Sequence, residues 1–358
     1  VSVRSKATFM ASDEVENPHN LLAGRFDLVF VVVWVLPLLL IALTYNTITG
    51  ERDQGTMALW RAQPVSATRV LLAKLGVRAL FVFGVAVVLL VVAALVGGAP
   101  LLEGPVAARF VVWLAIVALY ALFWLGVIVL VNATARSSAA SAVLLLGSWL
   151  LVVVVVPATV SAVVAAVYPS PSRVALTTEL RAARDRAAAP GDTAVNQFLA
   201  DHPEMLQTGT LAASNSWGRT LATQERANDA MRPVYAAFDS ALARQHQAAA
   251  IASMLSPAVM AQDALQDVAD RSIMRFRRFD AAIDTHHQAW QQFFFQRVFG
   301  ERRVRRAELA TLPSFVYTER STGEVLRAQA GTLIALLLPA LFLSWLGWRR
   351  LGRVAVHE

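Results

Sequence analysis

Apolar residues come in five long runs, separated by polar intervals of very unequal length. The runs are Leu28–Leu43 (reaching Tyr45 before polarity returns), Ala79–Gly97, Phe110–Val131, Ala142–Val167 and Ala330–Trp348. Each is close to the roughly 20 residues that a helix needs to cross a bilayer, and none carries a charge in its interior. The pattern predicts an all-α membrane protein with five transmembrane helices. Pro37, Pro157 and Pro339 fall inside runs, where each removes a backbone donor, so they are candidate flex points or static kinks.

Three intervals matter most. Asn46–Arg78 is a polar break that reads as a short helix, a turn at Pro64, and a second amphipathic helix leading into the next run. Asn132–Ser141 reads as a tight polar turn. Tyr168–Gln329 is long enough for a domain of its own and shows helical rather than strand periodicity. Within it, Ser170-Pro171 resembles a helix start, and Asp192 or Thr193 could cap a short helix through Met205. Pro233 is expected to open a long helix to about Leu255, and Ser256-Pro257 a connecting helix. Arg271–Phe299 reads as a second long helix ending at a Gly300 cap. The two long helices are expected to form an antiparallel hairpin standing off the membrane, and Leu312–Tyr317 (LPSFVY) an extended segment before the last run.

Composition supports the membrane reading: 56% of the 358 residues are apolar and 16% charged. The net charge of +7 does not point to nucleic acid, because the basic residues sit beside apolar runs or are matched by acids. Asn46–Arg78, the Arg136 turn and Arg349, Arg350 and Arg353 at the C-terminus together hold nine basic residues, and Gly97–Ala108 holds none. By the positive-inside rule the first group is cytoplasmic, and 168–329 is extracytoplasmic. Five spans then place 1–26 outside with nothing ahead to export it, so a sixth helix upstream of Val1 is the expectation. The scarcity of Lys beside Arg, with abundant Ala and Val, suggests a GC-rich bacterial source.

Chemistry of its own finds no footing in the chain. Cysteine is absent, which excludes disulfides and thiolate sites. There is no phosphate-cradling GxxxxGK[ST], no HExxH, no EF-hand loop and no nucleophile elbow, so an enzyme reading has no support. Asp201-His202 and His286-His287 could take part in a metal site, but a helix end and a solvated pair explain them as well. Met254 and Met260, and the aromatic group Trp290, Phe293, Phe294 and Phe295, read as core filler before they read as ligand surface. Arg302, Arg303, Arg305 and Arg306 read as a solvated basic face.

Short amphipathic segments on the cytoplasmic side, Thr56–Arg61 and Val65–Lys74, either lie at the interface or dock into a partner. Here the wording GERDQGTMALWRAQPVSATRVLLAKL resembles the first cytoplasmic loop of ABC-2 type transporter permeases. Glu51, Arg52, Gly55, Thr56, Pro64, Val65, Ser66 and Lys74 match that pattern, with Leu59 and Arg61 on the short helix between them. ENPHN, DHPE, SPAVMAQDALQDVA, AWQQFFF and LPSFVYTE resemble a bacterial subfamily whose long insertion before the last span is a domain of unknown function.

The resemblance implies an inner-membrane permease subunit, working as an exporter beside a second permease, identical or sibling. Asn46–Arg78 would be its contact with an ATP-binding cassette subunit, which holds ATP and magnesium, so this chain needs no cofactor of its own. Membrane lipid and a periplasmic partner complete the implied surroundings. Two other readings use the same residues. In one, ATPase-driven motion passes to a periplasmic partner without transport. In the other, the chain is a non-ABC sensor or scaffold.

Overall fold

A computed structural model describes residues 27–56, 67–169, 171–188, 191–201, 216–299 and 306–357. Among these residues the chain is all-α, with no strand. In order, the helices are α1 (28–44), α2 (Thr49–Asp53), α3 (Ala67–Val96), α4 (Gly104–Thr134), α5 (Ser138–Val167), α6 (Arg173–Ala187), α7 (Gly191–Asp201), α8 (Ser216–Ser253), α9 (Pro257–Val268), α10 (Ile273–Phe299) and α11 (Thr322–His357). Among the described residues five helical stretches are long and apolar enough to cross a membrane: Leu28–Asp53, Leu72–Val96, Gly104–Thr134, Ser138–Val167 and Thr322–Leu351. A sixth is added if α8 and α9, broken at 254–256, count as one bent span. The protein is a multi-pass membrane protein.

Two compact units divide the chain. One holds Ala165–Ala248 and Phe276–Thr318; the other holds Pro18–Val164, Ala249–Arg275 and Glu319–Glu358. Thus 249–275 and 319–329, inside the long polar interval, are part of the membrane bundle.

The bundle is centred on α4, whose Ile116, Val117, Tyr120, Trp124 and Ile128 are fully buried. Its closest neighbour is α11, and glycines set the approach. A Cβ on Gly126 would lie 3.0 Å from Leu343 Cβ and from the Ser344 nitrogen. One on Gly347 would lie 2.9 Å from Val129 Cγ1 and 3.0 Å from the Leu130 nitrogen. In a bilayer, where lipid is as apolar as leucine, such close backbone contact is a main source of helix association.

Pro37 and Pro157 do not break their spans. Each follows a π-helical turn, Val31–Val35 in α1 and Leu150–Val155 in α5. Proline lacks an N–H and its ring crowds the preceding turn, so that turn widens and its carbonyls need other donors. Those donors are present. Tyr120 Oη donates to the Val33 carbonyl at 3.0 Å, Trp149 Nε1 to Trp34 at 3.2 Å, and Ser256 Oγ to Val152 at 3.2 Å. Pro339 sits inside the continuous helix α11.

A double-mutant cycle tests this account. Ser256→Ala loses the cap of α9 in either background, but it should cost on the order of 1 kcal/mol more in the native chain than in a Pro157→Ala background, where the restored N–H lets α5 close its own turn. Thermal unfolding of the four purified proteins in one detergent reads the difference.

Three expectations need correction. Val65–Lys74 is not a separate amphipathic helix: from Ala67 onward it is the first part of the continuous α3. Pro233 does not open a helix but lies inside α8, where neighbouring packing outweighs its local cost. The 132–141 turn is shorter, because α4 runs to Thr134 and α5 starts at Ser138. The connecting helix expected at Ser256-Pro257 is present as α9. Ser256 caps α9 by accepting from the Val259 N–H at 3.4 Å, and α9 buries Ala258, Met260, Ala261, Ala264, Leu265 and Val268 in the bundle.

In the other unit, α6 and α8 pack through Leu180, Ala183 and Met231. The 312–317 segment is indeed non-helical and lies along α10. Trp290 Nε1 donates to the Pro313 carbonyl at 2.8 Å, Phe279 meets the rings of Phe315 and Tyr317, and His286 meets Phe315 edge to face.

A candidate coupling site at the basic end of the bundle

The chain leaves α1 through a buried polar knot. Asn132, fully buried in the last turn of α4, accepts from the Ile48 N–H at 3.4 Å and donates to the carbonyls of Thr44 and Ile128. Ser141 Oγ donates to the Tyr45 carbonyl at 2.8 Å, and Arg78 donates to the Leu43 carbonyl and Thr47 hydroxyl, both at 2.7 Å. The last carbonyls of α1, orphaned by the helix end, thus find donors on three other elements.

On this knot stands α2, a single turn that begins the loop. Its last two residues reach the junction between α4 and α5, each finding the helix end of opposite polarity. Arg52 Nη1 donates to the Ala135 carbonyl at 3.0 Å, at the C-terminal end of α4. The Asp53 carboxylate accepts from the Ser138 N–H at 3.0 Å, at the N-terminal end of α5. Both follow the helix dipole, cation to C-terminus and anion to N-terminus.

Glu51 looks the other way. Its carboxylate accepts from Lys74 Nζ at 2.6 Å and from the Thr56 hydroxyl. Lys74 lies on α3, so this pair ties together the two ends of the loop. Gly55 stops α2 with φ +70: its N–H goes to the Arg52 carbonyl at 3.0 Å and the Thr56 N–H to Glu51 at 3.1 Å. That is a Schellman ending, which favours glycine for its left-handed residue.

Of the residues singled out in the sequence, Glu51, Arg52, Gly55, Thr56 and Lys74 come together here. Leu59, Arg61, Pro64, Val65 and Ser66 lie outside the described residues. Asp53, Arg78, Asn132 and Ser141 were missed. Asp53 could have been found as the acid that follows the Glu-Arg pair; Asn132 carries no local signal.

The other candidates disperse. Met254 is 68% exposed and Met260 6%, so the two do not form one surface. His286 is engaged with aromatic rings, and burial pushes His287 below the usual histidine range, with Asp284 opposing and His286 adding to the shift. Among the described residues no three potential metal ligands cluster. His202, Gly300, Arg302, Arg303 and Arg305 are outside the described residues; Arg306 opens a 3₁₀ turn, Arg306–Thr311.

Comparison with known proteins gives two matches that divide the chain. Residues 7–146 match the family described as ABC-2 family transporter protein, and residues 173–318 match a domain of unknown function, DUF3526. No curated protein and no solved structure matches significantly.

Proposed function

We propose, from the premise that this chain belongs to the ABC-2 family of transporter proteins and is the permease subunit of an ABC transporter, that it is driven through the 46–78 loop. A separate ATP-binding cassette subunit, holding ATP and magnesium, would bear on that loop, and two permeases, identical or sibling, would enclose an export path. The bundle end carrying 46–78 would face the cytoplasm of a bacterial inner membrane, and the domain within 168–329 the periplasm.

The observation that carries this reading is the bracing of the loop. A partner pushing on 57–66 would press on a segment tied at Glu51–Lys74 and seated, through Arg52 and Asp53, on the junction of α4 and α5. Force at the loop would therefore reach two spans directly. A loop meant only for solvent would need no such footing.

Isolation of the tagged full chain from native membranes provides the test. An ATPase subunit should co-purify with it, and charge reversal at both Arg61 and Arg69 should release that subunit while the permease remains in the membrane. Recovery without any ATPase, or retention of the ATPase by the double-reversal variant, would remove the coupling assignment.

A further inference from the structure

The end of the bundle remote from the coupling site is held by a second polar cluster, centred on α9. Depth is set by the spans themselves. Ser141 lies at the basic end, and Val152, where Ser256 attaches, stands roughly 16 Å further along α5 at about 1.5 Å per residue. The first residue of α9 therefore sits near the middle of a hydrocarbon layer about 30 Å thick. Its last residues lie level with the start of α1, where Arg271 faces Asp27 at 3.7 Å. Helix α9 thus rises through one leaflet inside the bundle.

Its upper end is pinned by two carboxylates. Asp267 accepts from Arg320 at 2.6 Å, Ser272 at 2.6 Å and Gln329 at 2.9 Å. Asp270 pairs with Arg109, whose other nitrogen donates to the Arg320 carbonyl at 2.8 Å. The two aspartates therefore fasten α9 to α4 and α11 together.

Two features show that this fastening is not optimised for stability. Asp270 has φ 53 and is the one non-glycine residue with positive φ among the described residues. It ends α9 in a position where glycine would relieve the backbone, so its carboxylate is retained against a local cost. Asp270 Oδ1, Arg320 Nε and Gln329 Oε1 are also buried without a hydrogen-bond partner. A half-satisfied network in a low-dielectric setting is weaker than a complete one and has spare capacity for other partners.

We infer that Asp267 and Asp270 are positioning residues of a releasable lock, holding α9 down over the interior of the bundle, and that its release opens this end of the permease during transport. The second half of that statement rests on the transporter reading above; the first does not. Opening exchanges the carboxylate–guanidinium contacts for water and lets α9 swing on its Ser256 anchor.

The absence of cysteine makes the test direct. A single Ala261→Cys reporter, on the fully buried face of α9 itself, is introduced into the full chain in lipid nanodiscs. A membrane-impermeant maleimide should label it slowly. Asp267→Asn should raise that rate at least ten-fold, and the exchange Asp267→Arg with Arg320→Asp should bring it most of the way back.

Asp270→Gly is the decisive variant. It relieves the backbone and removes only the carboxylate, so a lock predicts faster labelling. A purely structural role predicts unchanged or slower labelling, and that outcome overturns the inference. A reporter at Ala133→Cys, buried at the other end, must stay slow in every variant; a parallel rise would mean general loosening and would equally overturn it. No step needs ATP or a partner, so failure here leaves the permease assignment intact, and failure of ATPase co-purification leaves the lock intact.

Discussion

Leucine at Gly347 prevents α4 and α11 from seating, and the protein should disappear from the membrane fraction or emerge aggregated. Alanine is already too large, because its Cβ would press on Val129 and on the Leu130 backbone nitrogen. Backbone cannot step aside as a flexible side chain can, so even the alanine variant should lose about 1–3 kcal/mol, the usual cost of overpacking a close-packed site. Gly126 makes the reciprocal contact with Leu343 and Ser344 and should behave alike. The control is built in. At Gly84 and Gly147 an added Cβ meets nothing within 4 Å, so alanine there should leave yield and melting temperature unchanged. Equal tolerance at all four positions, read by size-exclusion profile and thermal unfolding in one detergent, would contradict the packing described for this pair.

Glu51 is the second site of large effect, for a different reason. Reversing it to lysine places two ammonium groups where an ion pair stood and strands the Thr56 hydroxyl. The side chains of Lys74 and Glu51 are 38% and 20% exposed, so solvent screens the pair and its direct worth to stability is at most about 1 kcal/mol. The fold should survive. ATPase activity of the assembled complex should not retain its dependence on the permease, with stimulation falling about ten-fold or more, since about 1.4 kcal/mol of lost coupling suffices for that. Glu51→Lys combined with Lys74→Glu should recover much of the stimulation. A single variant that stimulates normally would separate the Glu51–Lys74 tie from coupling.

The two ends of the bundle differ in how much the chain reveals of them. Spans are visible as uninterrupted apolar runs because lipid imposes one requirement along their whole length. The Glu51–Arg52 pair, Gly55 and Lys74 stand out because charge and a turn glycine are conspicuous between such runs. Asn132 looks like an ordinary turn residue, and only its contact with Ile48, 84 residues away, shows what it does. Helix α9 was harder still. Its alternation of small apolar residues with Gln262, Asp263 and Gln266 is that of any amphipathic surface helix, so nothing local places it among the spans. Its fasteners Arg109 and Arg320 are 161 and 53 residues from the aspartates they hold. Pro233 misled because local propensity favours a helix start there, whereas α8 carries the proline in its interior.

The π-helical turns in α1 and α5 have a geometric consequence. Each accommodates one more residue than an α-helical turn, and one residue corresponds to about 100° of rotation. The stripe that either span turns inward is therefore out of phase with itself on the two sides of the turn. A helical wheel drawn through all of α1 or α5 superimposes two faces that never coincide in space. These spans act as a vernier, allowing one face to be matched to the partners near the 46–78 loop and another to the partners around α9.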